Sequence, residues 1–175
     1  MNIYLIGFMG SGKSTTGKRV AAILRWKFAD IDRLVEQKEG MKVPEIFSGR
    51  GEEYFRRAES DALREVSAMT RTVVACGGGT PCSAENLQVM KSTGVTVYLK
   101  LPVADLVSRL NRPGNDRPLL RNTGSAELSD RVSNLLGERS NWYDQADIII
   151  DAAVTEVEEM TTLIAETVRS KGSYL

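Results

Sequence analysis

The stretch with the clearest chemical meaning is a glycine-rich turn at residues 7–15. It reads Gly-Phe-Met-Gly-Ser-Gly-Lys-Ser-Thr and fits the pattern G-x-x-x-x-G-K-[ST]. An apolar run at residues 3–6 precedes it, and Val20, Ile23 and Leu24 recur at helical spacing after it. Strand, turn and helix in that order place backbone N–H groups where they converge on phosphate oxygens. The stretch therefore predicts a nucleoside-triphosphate site.

Two side chains of this phosphate loop (residues 7–14) have separate uses in phosphoryl transfer. Lys13 can reach the β- and γ-phosphates, and the Ser14 hydroxyl can ligate Mg²⁺. An ordinary glycine-rich turn is the alternative, but the Lys-Ser pair and the two flanking segments argue against it. The other predicted ATP contacts are Gly10, Ser11, Gly12 and Thr15.

The amino-acid composition argues against several classes of binding partner and catalytic group. Basic and acidic residues number 23 each among 175 residues, so no basic field indicates binding to nucleic acid or to an anionic membrane. The sequence has no histidine, and a general base must therefore be a carboxylate. No signal-like or membrane-spanning stretch is recognisable, which predicts a cytoplasmic protein. There, a disulfide between Cys76 and Cys82 is not expected, and two cysteines without histidine nearly exclude a zinc site.

Short apolar segments alternate with helical ones along the chain. The predicted strands are residues 3–6, 26–30, 72–76, 95–99 and 148–150. The predicted helices are residues 15–24, 32–39, 43–47, 52–69, 83–91, 102–110, 126–143 and 154–168. This alternation is typical of an α/β fold with a five-stranded parallel sheet between helices on both faces. We expect one domain over residues 1–175, with the polar residues 111–124 forming a mobile loop.

Asp30 and Asp32 follow the second strand, at the edge where open α/β sheets bind ligands. A helix N-cap is the alternative role for Asp32, and a turn position for Asp30. The third strand ends in glycines (residues 77–79) and not in a metal-binding acid, so Asp30 is the best placed acid to help organise a metal. The glycines would let a ligand approach the backbone closely, and a flexible loop is the alternative.

Three arginines are candidates for binding anionic groups. Arg56 could instead form a helix-surface salt bridge with Glu59 at i,i+3, and Arg139 could lie on a solvated face. Arg117 lies within residues 111–124, where a loop arginine could swing over a triphosphate or simply face solvent.

These motifs together resemble those of the shikimate kinase family, within the nucleoside-monophosphate-kinase-like P-loop proteins. They occur in the family's order and extend from residue 3 to about residue 150. The matching elements are residues 7–15, Phe-Ala-Asp-Ile-Asp at 28–32, Phe-Arg-Arg-Ala-Glu at 55–59, the glycines at 77–79, Arg-Pro-Leu-Leu at 117–120, and Arg139 with Tyr143 and the Ala146-Asp147 that follows.

The resemblance implies a three-layer P-loop kinase fold with a lid at about residues 111–124 and a substrate-binding helical region at about residues 32–60. It implies transfer of the ATP γ-phosphate, with Mg²⁺, to the 3-hydroxyl of shikimate, on the way to chorismate and the aromatic amino acids. Asp32 corresponds to the acid that contacts the substrate hydroxyls. Arg56 and Arg139 correspond to the arginines that hold the substrate carboxylate, and Gly78 to the substrate-contacting glycine.

The resemblance also implies roles at the nucleotide. Arg117 matches the lid arginine that reaches the phosphates, and Arg112 resembles the arginine that stacks on adenine. Ser14 corresponds to the direct Mg²⁺ ligand, with Asp30 near the metal through water. The implied catalytic residues are thus Lys13, Asp32 and Arg117.

Two other functions are open to this sequence. A gluconate-type kinase would share the fold, but the motifs at residues 55–59 and 77–79 argue against it. A GTP-driven switch would usually carry an Asn-Lys-x-Asp motif, which the sequence lacks. We expect ATP and shikimate as the partners, no nucleic acid or membrane, and a monomer.

Overall fold

The computed structural model describes residues 1–111 and 125–172. In these ranges the chain forms five strands and seven helices, which follow one another in largely alternating order. In chain order they are β1 (Asn2–Ile6), α1 (Lys13–Leu24), β2 (Lys27–Asp30), α2 (Ile31–Glu39), α3 (Val43–Ser67), β3 (Thr72–Ala75), α4 (Ala84–Thr93), β4 (Gly94–Lys100), α5 (Val103–Leu110), α6 (Ser125–Tyr143), β5 (Ile148–Asp151) and α7 (Val157–Gly172).

The strands form one parallel sheet in the order β2-β3-β1-β4-β5. This confirms the predicted five-stranded parallel sheet. Leu5 pairs with Ala75, and Asp30 pairs with Ala75 from the other side. Because the three strands run in the same direction and in register, β1, β2 and β3 end at the same edge. The segments that follow them are therefore brought together.

Helices cover both faces of the sheet. Every residue of β1 and of β3 is buried, and successive side chains of a strand point to opposite faces, so neither face is open to solvent. Helix α1 packs closely on the sheet at Gly17, where a Cβ would lie 2.8 Å from the Phe28 ring and 3.0 Å from Leu5. This close approach holds the start of α1 beside the ends of β1 and β2.

Several details differ from the sequence-based predictions. Helix α2 begins at Ile31, and Asp30 is its N-cap, accepting a hydrogen bond from the backbone of Arg33 at 3.3 Å. The alternative roles considered for Asp32 as a cap and Asp30 as a turn residue are therefore wrong, and Asp32 lies in the first helical turn. Helix α7 begins at Val157, three residues later than predicted.

Two helices broken at Gly49 and Gly51 were predicted where α3 lies, and the break at Gly51 is confirmed as a kink between two helical segments, whereas the break at Gly49 is wrong. Gly49 is helical, and the regular geometry is interrupted at Gly51, which has φ 83° and ψ 169°. Packing of the two segments against the rest of the domain outweighs the low helix propensity of glycine at Gly49.

The predicted lid lies outside the described residues apart from Asn111, and Arg112 and Arg117 lie outside them too. Across residues 1–111 and 125–172, none of the helices combines the length and apolarity needed to cross a bilayer.

Gly51→Ala should destabilise the protein by about 1–3 kcal/mol, since this backbone conformation is nearly restricted to glycine. Gly49→Ala is the matched control and should be neutral or stabilising by up to about 1 kcal/mol, because Gly49 is helical. A Cβ would meet nothing within 4 Å at either position, so only the backbone conformation distinguishes them. Urea unfolding measures both changes, and equal effects would show that Gly51 is not strained.

Candidate active site

The phosphate loop connects β1 to α1 as the sequence predicted. Gly7, Gly10 and Gly12 have φ values of 135°, 84° and 97°, which side chains with a Cβ rarely adopt. At Gly7 a Cβ would also lie 2.8 Å from the carbonyl oxygen of Leu99. These glycines let the backbone curl in front of the N-terminus of α1, which offers free N–H groups and a positive potential to an anion.

The Lys13 side chain folds over this loop. It is 8% exposed, and its Nζ donates to the carbonyl oxygens of Gly7 at 2.8 Å and Phe8 at 2.7 Å. Phosphate oxygens are stronger acceptors for an ammonium group than neutral carbonyls. Lys13 is thus held at the place where the terminal phosphates of a nucleotide would lie.

Ser14 and Asp30 meet across the edge of the sheet. The Ser14 hydroxyl donates to Asp30 Oδ2 at 2.7 Å. Hydroxyl and carboxylate oxygens suit Mg²⁺, which keeps several waters and shares its remaining positions with phosphates. Over the described part of the chain, no group of three or more acidic, histidine or cysteine side chains forms a protein-only metal cage. The chemistry of the Ser14 and Asp30 oxygens fits Mg²⁺.

The glycine run (residues 77–79) follows β3 and is surrounded by charged side chains. A Cβ at Gly77 would lie 2.2 Å from Glu59 Oε1 and 2.8 Å from Asp32 Oδ1. A Cβ at Gly79 would lie 2.3 Å from Arg56 Nη1. The space that side chains would fill is thus occupied by the functional groups of neighbouring helices.

Arg56 lies between two acids of its own helix. Its Nη1 donates to the buried Glu59 at 2.8 Å, and its Nη2 donates to the exposed Glu52 at 2.9 Å. Burial lowers the pKa of Arg56, but the carboxylates of Glu59 and Glu52 together more than offset this effect, and the pKa lies above its usual value. The salt bridge considered from sequence is present, and Arg56 faces the glycine run as well.

Glu59 was not recognised from sequence as part of the site. Its side chain is 1% exposed, and its Oε1 accepts a hydrogen bond from Thr80 just beyond the glycine run. The sequence shows the i,i+3 spacing of Glu59 from Arg56. It does not show the contact with Thr80, because that contact depends on how α3 packs against the end of β3. A buried carboxylate with two partners fixes the position of Arg56.

Arg139 is 8% exposed, so the solvated-face interpretation is wrong. Its guanidinium lies 5.7 Å from the centroid of the Phe8 ring, and a Cβ on Gly78 would lie 3.2 Å from its Nη1. It therefore joins Asp32 and Arg56 around the glycine run, although the three come from α6, α2 and α3.

Two cavities meet at this point. A large cleft of about 610 Å³ runs along the phosphate loop, where Thr15 also lines it. A small pocket is lined by Arg56, Glu59, Arg139 and apolar side chains that include Phe47 and Phe55. The two share four residues, which are Met9, Asp32, Gly77 and Gly78. A group bound in the small pocket would face one bound in the large cleft across Asp32.

The far end of the large cleft was not predicted from sequence. It is lined by residues 152–157, after β5, and by Arg109 in the last turn of α5. Arg109 Nη1 lies 3.4 Å from the carbonyl oxygen of Gly10. Only the fold could have indicated that residues 152–157 line the cleft, since β5 ends at the same edge of the sheet as β1.

The described cysteines are both free thiols beside the glycine run. Burial raises the pKa of each, that of Cys82 to about 11. Cys82 Sγ lies 3.8 Å from the carbonyl oxygen of Gly78. Cys82 is consequently a neutral thiol and a weak hydrogen-bond donor at physiological pH.

Comparison with known proteins gives a consistent result. The family model described as shikimate kinase matches residues 9–169. A shikimate kinase of Sulfurihydrogenibium sp. is 42% identical over 86% of this chain and 87% of its own length. One from Gloeobacter violaceus is 44% identical over 87% of this chain and 84% of its own length. The structure of Acinetobacter baumannii shikimate kinase in complex with shikimate superposes with a TM-score of 0.89, at 34% identity, over 97% of this chain and 93% of that one.

Cys82 should react slowly with iodoacetamide at pH 8, on the order of 100-fold more slowly than a free thiol of pKa about 8.5. Because its pKa is about 11, the rate should keep rising with pH up to at least pH 10. Mass spectrometry of the labelled peptide gives the rate, and Cys82→Ser is the control for labelling elsewhere. A rate that levels off near pH 8.5 would contradict this environment.

Proposed function

The chain belongs to the shikimate kinase family, and from that premise we propose that it transfers the γ-phosphate of ATP to the 3-hydroxyl of shikimate. The products are ADP and shikimate 3-phosphate, in the pathway to chorismate and the aromatic amino acids. The observation that carries this proposal is the meeting of the large cleft and the small pocket at Asp32 and Gly78. Phosphoryl transfer requires donor and acceptor in contact with water excluded, and this junction supplies the contact.

The small pocket suits an acceptor with one carboxylate and several hydroxyls. Arg56 and Arg139 approach the glycine run from two helices, and planar guanidinium groups bind carboxylates through paired hydrogen bonds. Glu59 holds Arg56 from behind, so the substrate carboxylate would exchange with the solvent-exposed Glu52 and leave the buried acid in place. Asp32, at the junction of the two cavities, would contact the hydroxyl groups.

The transfer step requires a base and a charge-stabilising site. Asp32 would accept the proton of the attacking hydroxyl as its oxygen bonds to the γ-phosphorus, and the bond from that phosphorus to the bridging oxygen breaks. Lys13 and the N–H groups of the phosphate loop stabilise the charge on the phosphates. Ser14 would bind Mg²⁺ directly and Asp30 through water, and the ion neutralises charge on the phosphates.

Other parts of the proposal depend on the sequence. Arg117 would reach the transferring phosphoryl group and Arg112 the adenine, and both lie outside the described residues. We also propose a cytoplasmic monomer of one domain that acts on small molecules, in keeping with the balanced charge of the chain.

Coupled detection of ADP release, with shikimate, quinate, gluconate and nucleoside monophosphates as acceptors, tests this function. Shikimate should be turned over with a kcat/KM at least about 100-fold above the others. Nucleoside monophosphates lack the carboxylate, and quinate and gluconate carry one on a skeleton of different shape, which would place their hydroxyls differently relative to Asp32. Comparable turnover of gluconate would favour the gluconate-type kinase that the fold also allows.

Asp32→Asn should lower kcat by roughly 10²–10⁴, since the amide keeps the shape but cannot accept the proton. Asp61→Asn on the exposed face of α3 is the control and should leave kcat unchanged. Asp32 does not cap its helix, so the thermal midpoint should stay near that of the wild type. A loss of stability with unchanged kcat would assign Asp32 a structural role only.

Arg56→Lys and Arg139→Lys should each raise the KM for shikimate at least about tenfold and change the KM for ATP less than threefold. The charge remains but the planar fork that binds the carboxylate is lost. Arg57→Lys is the matched control, because Arg57 is the exposed neighbour of Arg56 and pairs with the exposed Glu53. Equal changes in both KM values would indicate a general disturbance of the fold.

A further inference from the structure

Tyr143 is a buried phenol at the junction of the two cavities, and no step of the proposed reaction uses it. It is the last residue of α6 and is completely buried. Its hydroxyl donates a hydrogen bond to the carbonyl oxygen of Gly78, 65 positions away in the sequence. Its ring packs on that of Tyr98 with centroids 5.1 Å apart. Tyr143 therefore ties the end of α6 to the glycine run.

The glycine run needs such anchors because three consecutive glycines have little conformational preference of their own. Backbone hydrogen bonds hold the carbonyl of Gly77, through the Thr80 amide at 3.2 Å, and that of Gly79, through the Cys82 amide at 2.9 Å. The carbonyl of Gly78 is held instead by side chains, the Tyr143 hydroxyl and the weak Cys82 thiol. The orientation of the central peptide thus depends mainly on Tyr143.

The hydrogen bond that orients the Gly78 carbonyl also orients the N–H group of the next residue. The peptide group is planar, so the direction of the Gly78 carbonyl also sets the direction of the Gly79 N–H. Gly79 lies against Arg56, and Gly78 lies against Arg139. A rotation of this peptide would move the backbone that lies beside the guanidinium groups of Arg56 and Arg139.

Arg139, one turn earlier in the same helix, lies beside the same glycine. A Cβ on Gly78 would lie 3.2 Å from Arg139 Nη1 and 3.7 Å from the Tyr143 hydroxyl oxygen. Burial raises the pKa of Tyr143 well above its usual range, although the charge of Arg139 opposes this, so the phenol stays protonated and a donor at any pH the enzyme meets. Tyr143 thus holds the peptide beside which the Arg139 guanidinium lies.

We propose that Tyr143 is a positioning residue that sets the Gly78–Gly79 peptide and Arg139 for binding of the carboxylate-bearing acceptor. This inference rests on the proposed function for the identity of the acceptor. The hydrogen bond from Tyr143 to the glycine run does not depend on the proposed function, because it is present without any ligand.

Tyr143→Phe tests the proposal because it removes the hydroxyl and keeps the ring packed on Tyr98. The KM for shikimate should rise roughly tenfold, as expected for loss of one buried hydrogen bond that leaves a carbonyl unsatisfied. The KM for ATP should change less than twofold. In the ligand-free protein, amide hydrogen exchange at residues 78–80 should become at least about tenfold faster.

Tyr4→Phe is the matched control. Tyr4 is also a completely buried phenol, and its hydroxyl bonds to Ser67 at 2.9 Å and Thr93 at 2.7 Å, away from the glycine run. It should lower stability while both KM values and exchange at residues 78–80 stay as in the wild type. If Tyr4→Phe raised the shikimate KM as much as Tyr143→Phe, the effect would reflect stability alone and the proposal would be wrong.

Unchanged shikimate KM and unchanged exchange in Tyr143→Phe would also overturn the proposal. Wild-type turnover of shikimate is measured first, and its absence would overturn the proposed function instead. The exchange measurement on the ligand-free protein then still decides whether Tyr143 holds the glycine run.

Discussion

The arrangement of the site depends on the lack of room for side chains at the end of β3. At Gly77 and Gly79 a Cβ would lie within 2.3 Å of a Glu59 or Arg56 side-chain atom. Bare backbone at this point lets α2, α3 and α6 bring their functional groups to one place. Any larger residue would displace the side chains that we propose to bind the acceptor, even if the phosphate loop were unchanged. The strand order β2-β3-β1 then sets this backbone beside the phosphate loop.

Charge balance explains why these groups can be buried together. An unpaired charge in the protein interior is costly, and the ion pair with Glu59 removes much of that cost for Arg56. Glu59 neutralises one of the two arginines and takes a second hydrogen bond from Thr80. Under the proposed function, the acceptor carboxylate would add a further anion between Arg56 and Arg139.

Local patterns in the sequence predicted the strands and the phosphate loop, because each depends on residues close together in the chain, and the order of several such motifs indicated the family. The resemblance also selected Asp32, Arg56 and Arg139, which the fold brings to one pocket. The sequence did not reveal the second hydrogen bond of Glu59, or the hold of Tyr143 on Gly78, since both contacts join segments more than 20 residues apart. Such pairs follow from strand order and helix packing, which local patterns do not specify.

The central claim is that donor and acceptor meet across Asp32 and the glycine run. A crystal structure with a non-hydrolysable ATP analogue, Mg²⁺ and shikimate tests it most directly. The account predicts the shikimate carboxylate between Arg56 and Arg139, and the 3-hydroxyl within hydrogen-bond distance of Asp32. It also predicts that this hydroxyl lies roughly 3–3.5 Å from the γ-phosphorus, as a near-attack geometry requires. Shikimate bound outside the small pocket, or with its carboxylate toward Asp32, would contradict the account.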